Sequence, residues 1–154
     1  MKLLLDTTYL LPIVDISVTT QKNALNDLLS EGHEIAISEI TLFELSAKAA
    51  KYVVKKQILS ERVTRGVRAL LNDDSVEKIP IYNTKILSTA FTLKGLMVDF
   101  VDCLILSTAL NYSDVLISED TVIGKLSKNQ KYLELLSTIN PNFKCTSYSN
   151  FRKT

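Results

Sequence analysis

The stretch Met1–Asp15 reads "MKLLLDTTYLLPIVD", and its segment Lys2–Asp6 decides the fold. Leu3, Leu4 and Leu5 are consecutive, so an extended chain here has no polar face. A strand apolar on both sides must be covered on both sides, the pattern of a parallel sheet between helical layers. The same stretch superficially matches a secretory leader. However, Asp6 interrupts its apolar run and no small-residue cleavage site follows. The expectation is a buried first strand in a cytoplasmic protein. That strand ends on Asp6, and an ionised carboxylate there is costly without a partner, which makes Asp6 a candidate functional residue.

Outward from this strand the pattern repeats. "EIAIS" (Glu34–Ser38), "VEKIPI" (Val76–Ile81) and "DVLIS" (Asp114–Ser118) read as further strands, and "FKCTSY" (Phe143–Tyr148) as a weaker last one. Segments of helical period separate them. "TTYLLPIVD" reads as short helical turns around Pro12, and "QKNALNDLLSEG" (Gln21–Gly32) as a helix closed by Gly32. Ser38 is placed to cap "EITLFELSAKAAKYVVKKQ" (Glu39–Gln57), in which Ile40, Phe43, Ala47, Ala50 and Val54 form the stripe expected to face the core. Ser60–Leu71, "TKILSTAFTLKG" (Thr84–Gly95), "FVDCLILSTALNY" (Phe100–Tyr112) and "DTVIGKLSK" (Asp120–Lys128) complete the helices. This alternation predicts an α/β fold, three-layer α/β/α with a central parallel sheet of four to five strands. A length of 154 residues, 46% hydrophobic and 23% charged, suits a single domain over 1–154. No apolar run reaches the ~20 residues of a bilayer span, so no membrane association is expected.

Cys103 and Cys145 are isolated, as buried thiols in a reducing compartment would be, and His33 is the only histidine. That argues against a histidine-based triad and a zinc hydrolase built from several imidazoles. Metal chemistry would rest on oxygen ligands. The formal net charge is +1, but Lys48, Lys51, Lys55, Lys56, Arg62, Arg65 and Arg68 are opposed in their own segment by Glu61 alone. The helical segment 48–74 is therefore either a face for a polyanion or an ordinary solvated surface. Lys48, Lys51 and Lys55 recur at helical spacing and could meet successive phosphates.

Sites in parallel sheets form beyond the carboxyl ends of the strands. Asp6 and Asp120 both follow strands. Asp102 lies in the first turn of "FVDCLILSTALNY", and Glu44 on the helix after the second strand, so all four acids can converge on one edge. Singly, each has a simpler use: Asp102 at a helix N-terminus, Asp120 as a cap, Glu44 as a solvated position. Together they repel, by roughly 3 kcal/mol for two carboxylates about 5 Å apart at an effective dielectric near 20. No basic residue adjoins Asp6, Asp102 or Asp120 in sequence. A hard divalent ion, Mg²⁺ or Mn²⁺, relieves such a cluster, and a hydrated one suits phosphodiester hydrolysis.

"LLLDTTYLLP", "AISEITLFEL", "DFVDCLILSTAL" and "VLISED", in that order, resemble the PIN-domain nucleases, with wording most similar to the VapC-type toxins. The resemblance implies that Asp6, Glu44, Asp102 and Asp120 are the catalytic acids that bind Mg²⁺ or Mn²⁺. It implies supporting hydroxyls at Thr8 and Ser118. Asp99 is either a further ligand acting through water, an orienter of Asp102, or a solvent-facing loop residue. The implied activity is endonucleolytic hydrolysis of single-stranded RNA, with Lys48, Lys51 and Lys55 on the RNA. A cognate antitoxin and a homodimer are the implied partners. The segment Lys48–Asp74 is longer and more basic than the shortest toxins lead one to expect. It is either an RNA-binding arm or a mark of RNA processing outside a toxin–antitoxin pair. A non-catalytic PIN-like scaffold for RNA or protein is the remaining alternative. A phosphotransfer receiver would need an Asp after strand three, and a haloacid-dehalogenase-type phosphatase an Asp where Thr8 stands; neither is present.

Overall fold

The computed structural model describes residues 1–19 and 22–153. Its strands are β1 (Lys2–Leu5), β2 (Glu34–Ser38), β3 (Val76–Ile79), β4 (Val115–Ile117) and β5 (Lys144–Thr146). They form one sheet, parallel throughout, in the order β3-β2-β1-β4-β5. A 3-10 helix covers Thr7–Val14, and the α-helices are α1 (Ala24–Ser30), α2 (Glu39–Val54), α3 (Ser60–Leu71), α4 (Thr84–Lys94), α5 (Phe100–Tyr112), α6 (Thr121–Leu126), α7 (Gln130–Ile139) and α8 (Tyr148–Phe151). Gln21, the expected start of the first α-helix, lies outside the described residues. Gly32 ends that helix at φ 80, a left-handed stop that glycine adopts without a Cβ penalty.

The central place of β1 explains its sequence. Leu4 faces Ala36 and Leu116 across the ladders and joins the core formed with α4 and α5. Leu3 and Leu5 point the other way, into the core shared with the 3-10 helix, α1 and α2. From β1 the chain builds β2 and β3 on one side, then crosses to β4 and β5 on the other. The strand order reverses between β1 and β4, where open α/β sheets leave a crevice for a site.

Helix α5 is apolar around most of its circumference because it is enclosed: Cys103 to Leu110 are all buried. Its hydroxyls find partners inside. Ser107 donates to the carbonyl of Ile86 at 2.6 Å and Thr108 to that of Leu104 at 2.7 Å. Ser38 holds the N-cap position of α2 but makes no side-chain cap bond there; its hydroxyl pairs instead with Thr108 at 3.0 Å.

The expected inward stripe of α2 holds only at Ile40, which packs against the core, while Phe43, Ala47, Ala50 and Val54 face outward. The buried positions are Thr41, Leu45 and Ala49, whereas Phe43 and Val54 are 65% and 82% exposed. Both stripes fit a helical period. The one with smaller side chains lets α2 approach the 3-10 helix and α3 closely, and that packing decides.

Gly66 makes the approach of α3 possible. A Cβ there would lie 2.3 Å from the carbonyl oxygen of Ile13 and 3.2 Å from Cγ1 of Val14. Gly66→Ala should therefore destabilise the protein. The gain of about 1 kcal/mol in helix propensity is outweighed by overpacking against rigid backbone, about 1–3 kcal/mol or more. A midpoint in thermal denaturation equal to or above wild type would contradict this packing. Within the basic segment, α3 is seated on the 3-10 helix and α2. Among the described residues, no helix is long and apolar enough to cross a membrane.

Candidate active site

Asp6 follows β1 directly and starts the 3-10 helix. Its Oδ1 accepts from the Thr7 amide at 2.7 Å, and its Oδ2 from the Ser118 hydroxyl at 2.8 Å. Ser118 follows β4, so the second bond crosses the reversal point of the sheet. The same Ser118 oxygen accepts the amide of Asp120 at 3.0 Å. Asp120 in turn caps α6, accepting from the amide of Val122 at 2.6 Å.

Glu44 reaches the cluster from α2. Its Oε2 accepts from the Thr7 hydroxyl, and its Oε1 pairs with Nζ of Lys48 at 2.7 Å. Asp99 caps α5 through the amide of Val101 at 2.8 Å, which places Asp102 in the first turn of that helix. Among the described residues the Asp102 carboxylate has no hydrogen bond or ion pair.

These acids lie near enough to act on one another's charge. The Asp102 carboxyl is pushed up to about 6 by burial first, then by the charges of Asp99, Asp120, Glu44 and Asp6. Asp6 is also raised, chiefly by burial and further by Glu44. The Ser118 hydroxyl, the Thr7 amide and the Lys48 ammonium oppose that rise. Cys145, only partly buried, has its thiol pushed up to about 12 by burial and then by Asp6 and Asp120, so it is an unreactive neighbour. The sequence showed no cation beside Asp6, Asp102 or Asp120; folding brings Lys48 within reach of Asp6 as well as Glu44.

The donor set is all oxygen, which fits a hard divalent cation and not a thiolate- or imidazole-seeking one. Among the described residues, no three acidic, histidine or cysteine side chains are yet gathered closely enough to hold a metal. Asp6, Glu44 and Asp120 each have a protein partner. The Asp102 carboxylate has none, and it stands in the field of four other acids. That is the arrangement a divalent ion would relieve, with Asp6, Glu44, Asp102 and Asp120 available to hold it.

Thr8, the hydroxyl indicated by the family pattern, is partly exposed and makes no side-chain hydrogen bond among the described residues. Thr7, fully buried, is the hydroxyl bonded to the acids. Two further residues had no signal in the sequence. Tyr9, buried in the 3-10 helix, donates to Glu119 and accepts the amide of Tyr148 from α8 at 2.9 Å. Glu119 lies between Ser118 and Asp120, so Tyr9 braces the loop that carries both. Lys51 is exposed on α2 and Lys55 just past its end, and Arg62 is paired with Asp15 at 3.1 Å.

The PIN domain family model matches residues 3–129. Among solved structures, VapBC2 from Rickettsia felis bound to a DNA fragment from their promoter is similar, with a TM-score of 0.59 and 22% identity over 95% of this chain and 98% of that one. At that identity the likeness concerns the fold. No curated protein matches the chain. PIN domains are generally nucleases that use divalent metals. The family match runs from β1 into the turn after α6 and takes in every acid of the pocket, so the chain belongs to the PIN-domain family.

Proposed function

We propose that this PIN domain is a metal-dependent endoribonuclease that hydrolyses phosphodiester bonds of single-stranded RNA, as the toxin of a toxin–antitoxin pair. One observation carries the reading: Asp102 presents an unpartnered carboxylate, raised to about 6, in a pocket of acids at the reversal point of the sheet. The fold shared with VapBC2 supports an antitoxin as partner, and a homodimer belongs to the same reading.

Asp6, Glu44, Asp102 and Asp120 would hold Mg²⁺ or Mn²⁺, with Asp99 acting on Asp102 through its charge. The ion, when bound, supplies a Lewis acid for a phosphate oxygen and makes a water acidic enough to attack at neutral pH. The protein's part is placement. Ser118 fixes one oxygen of Asp6 and the loop bearing Asp120, so two ligands from separate strands keep one spacing. Thr7 fixes Glu44. Thr8, on the exposed side of the 3-10 helix, would hydrogen-bond a phosphate, and Lys51 and Lys55 would meet neighbouring phosphates as point charges. In-line attack would leave a 3′-hydroxyl and a 5′-phosphate.

The full chain, incubated with single-stranded RNA and Mn²⁺, should yield 5′-phosphorylated fragments, and a chelator should stop the reaction. Without RNA, Mn²⁺ should raise the thermal midpoint. Free metal at 100 times its Kd stabilises by about 2.7 kcal/mol, which is roughly 5–10 °C for a domain of this size. RNA binding without cleavage and no midpoint shift at millimolar Mn²⁺ would favour a PIN fold that binds without cutting. The Lys48–Glu44 pair, which already neutralises one acid, is the observation that speaks for that rival.

A further inference from the structure

Lys48 differs from the lysines that follow it. Among the described residues Lys51 and Lys55 form no ion pair, whereas Lys48 is held 2.7 Å from Glu44, and its charge also acts on Asp6. Resting on the nuclease reading above, we propose that Lys48 is a displaceable internal counter-ion. It pairs with Glu44, would give that carboxylate up to a divalent cation, and would then grip an RNA phosphate.

Both oxygens of Glu44 are engaged, Oε2 by the hydroxyl of Thr7 and Oε1 by Lys48. The two partners are unequal. Thr7 is fully buried, while the Lys48 side chain is 39% exposed against 17% for that of Glu44. The lysine stem can swing toward water; the threonine cannot. A divalent ion among these acids would compete with the ammonium for one carboxylate and would also repel it. The displaced ammonium stays on α2, in helical register with Lys51 and Lys55. Metal loading therefore frees a cation beside the exposed lysines, and metal and RNA should bind cooperatively through it.

The test compares the full-length wild type with Lys48→Met by titration calorimetry with Mn²⁺ alone. A second arm measures binding of a phosphorothioate-linked single-stranded oligonucleotide, which resists hydrolysis, with and without Mn²⁺. Lys48→Met should bind Mn²⁺ about fivefold or more tightly than wild type, within the usual range of coupling between sites. It should also lose the enhancement of oligonucleotide binding that Mn²⁺ gives the wild type. Lys48→Gln keeps a donor for Glu44 without the charge, guards against misfolding of the methionine variant, and should show the same tightening. Lys51→Met should bind the oligonucleotide more weakly while leaving Mn²⁺ affinity unchanged. Wild type that binds Mn²⁺ with neither Lys48 variant binding more tightly would overturn the role of Lys48 and leave the nuclease reading standing. If no form binds Mn²⁺, the nuclease reading falls and this inference with it.

Discussion

Asp102→Asn should abolish RNA cleavage and, in the absence of metal, make the protein more stable. Two effects of one charge act in opposite directions here. On the proposed reading the carboxylate holds the metal, and losing one preorganised electrostatic group of this kind typically costs on the order of 10²–10³ in rate. For folding it is a liability, pushed up to about 6 by burial and by Asp99, Asp120, Glu44 and Asp6. Because the folded value lies above the unfolded one, the proton-bound form favours the fold. That stabilisation is fully present below the ordinary aspartate value of 3.8 and is lost as pH rises through about 6. At pH 7 the ionised side chain is therefore a cost. Since Asp102 is only partly buried and water screens its neighbours, the expected gain for Asp102→Asn is about 1 kcal/mol. Denaturant melts in chelator at pH 7 should show the variant ahead, with the difference closing toward pH 4. Adding Mn²⁺ should reverse the ranking. Equal stability at pH 7 would mean that the acids do not share a pocket.

Leu106→Ala should cost far more, about 2–5 kcal/mol, or roughly 5–15 °C in the thermal midpoint. Leu106 is fully buried on a helix enclosed by the sheet, α4 and α7, so no side chain from the surface can move in to fill the space. The contrast is Phe43→Ala. It removes a larger side chain, but one that is 65% exposed on the outer face of α2, and it should stay within about 0.5 kcal/mol of wild type. If Phe43→Ala were the costlier of the two, the orientation of α2 would be wrong.

That contrast also marks where the sequence is readable. Leu3–Leu5 and Val115–Ile117 carry apolar residues without alternation, a pattern that only a twice-covered strand satisfies, and both fall in the middle of the sheet. Helix α5 was legible from end to end, because Asp99 caps it and its apolar run has no other use. The face of α2 was not, since two stripes of equal period compete and the choice between them lies in side-chain volume at α3 and the 3-10 helix. Helix α7 went unread although its period is clear: Tyr132 is buried, Leu135, Leu136 and Ile139 pack on the same core, and Asn129 caps it through two amides. At the site, Asp6 and Asp120 followed from the rule about strand ends. The Lys48–Glu44 pair was available from their spacing of four on one helix. The choice of Thr7 over Thr8 as the buried hydroxyl was not, because it depends on how the 3-10 turn leaves β1.

The Tyr9 hydroxyl joins two parts of the molecule that are distant along the chain, bonding Glu119 on one side and the Tyr148 amide on the other. Fraying of α8 and slackening of the loop that holds Asp120 therefore draw on one oxygen. Order in the last short helix and order at the carboxylates rise and fall together, although α8 contributes no ligand of its own.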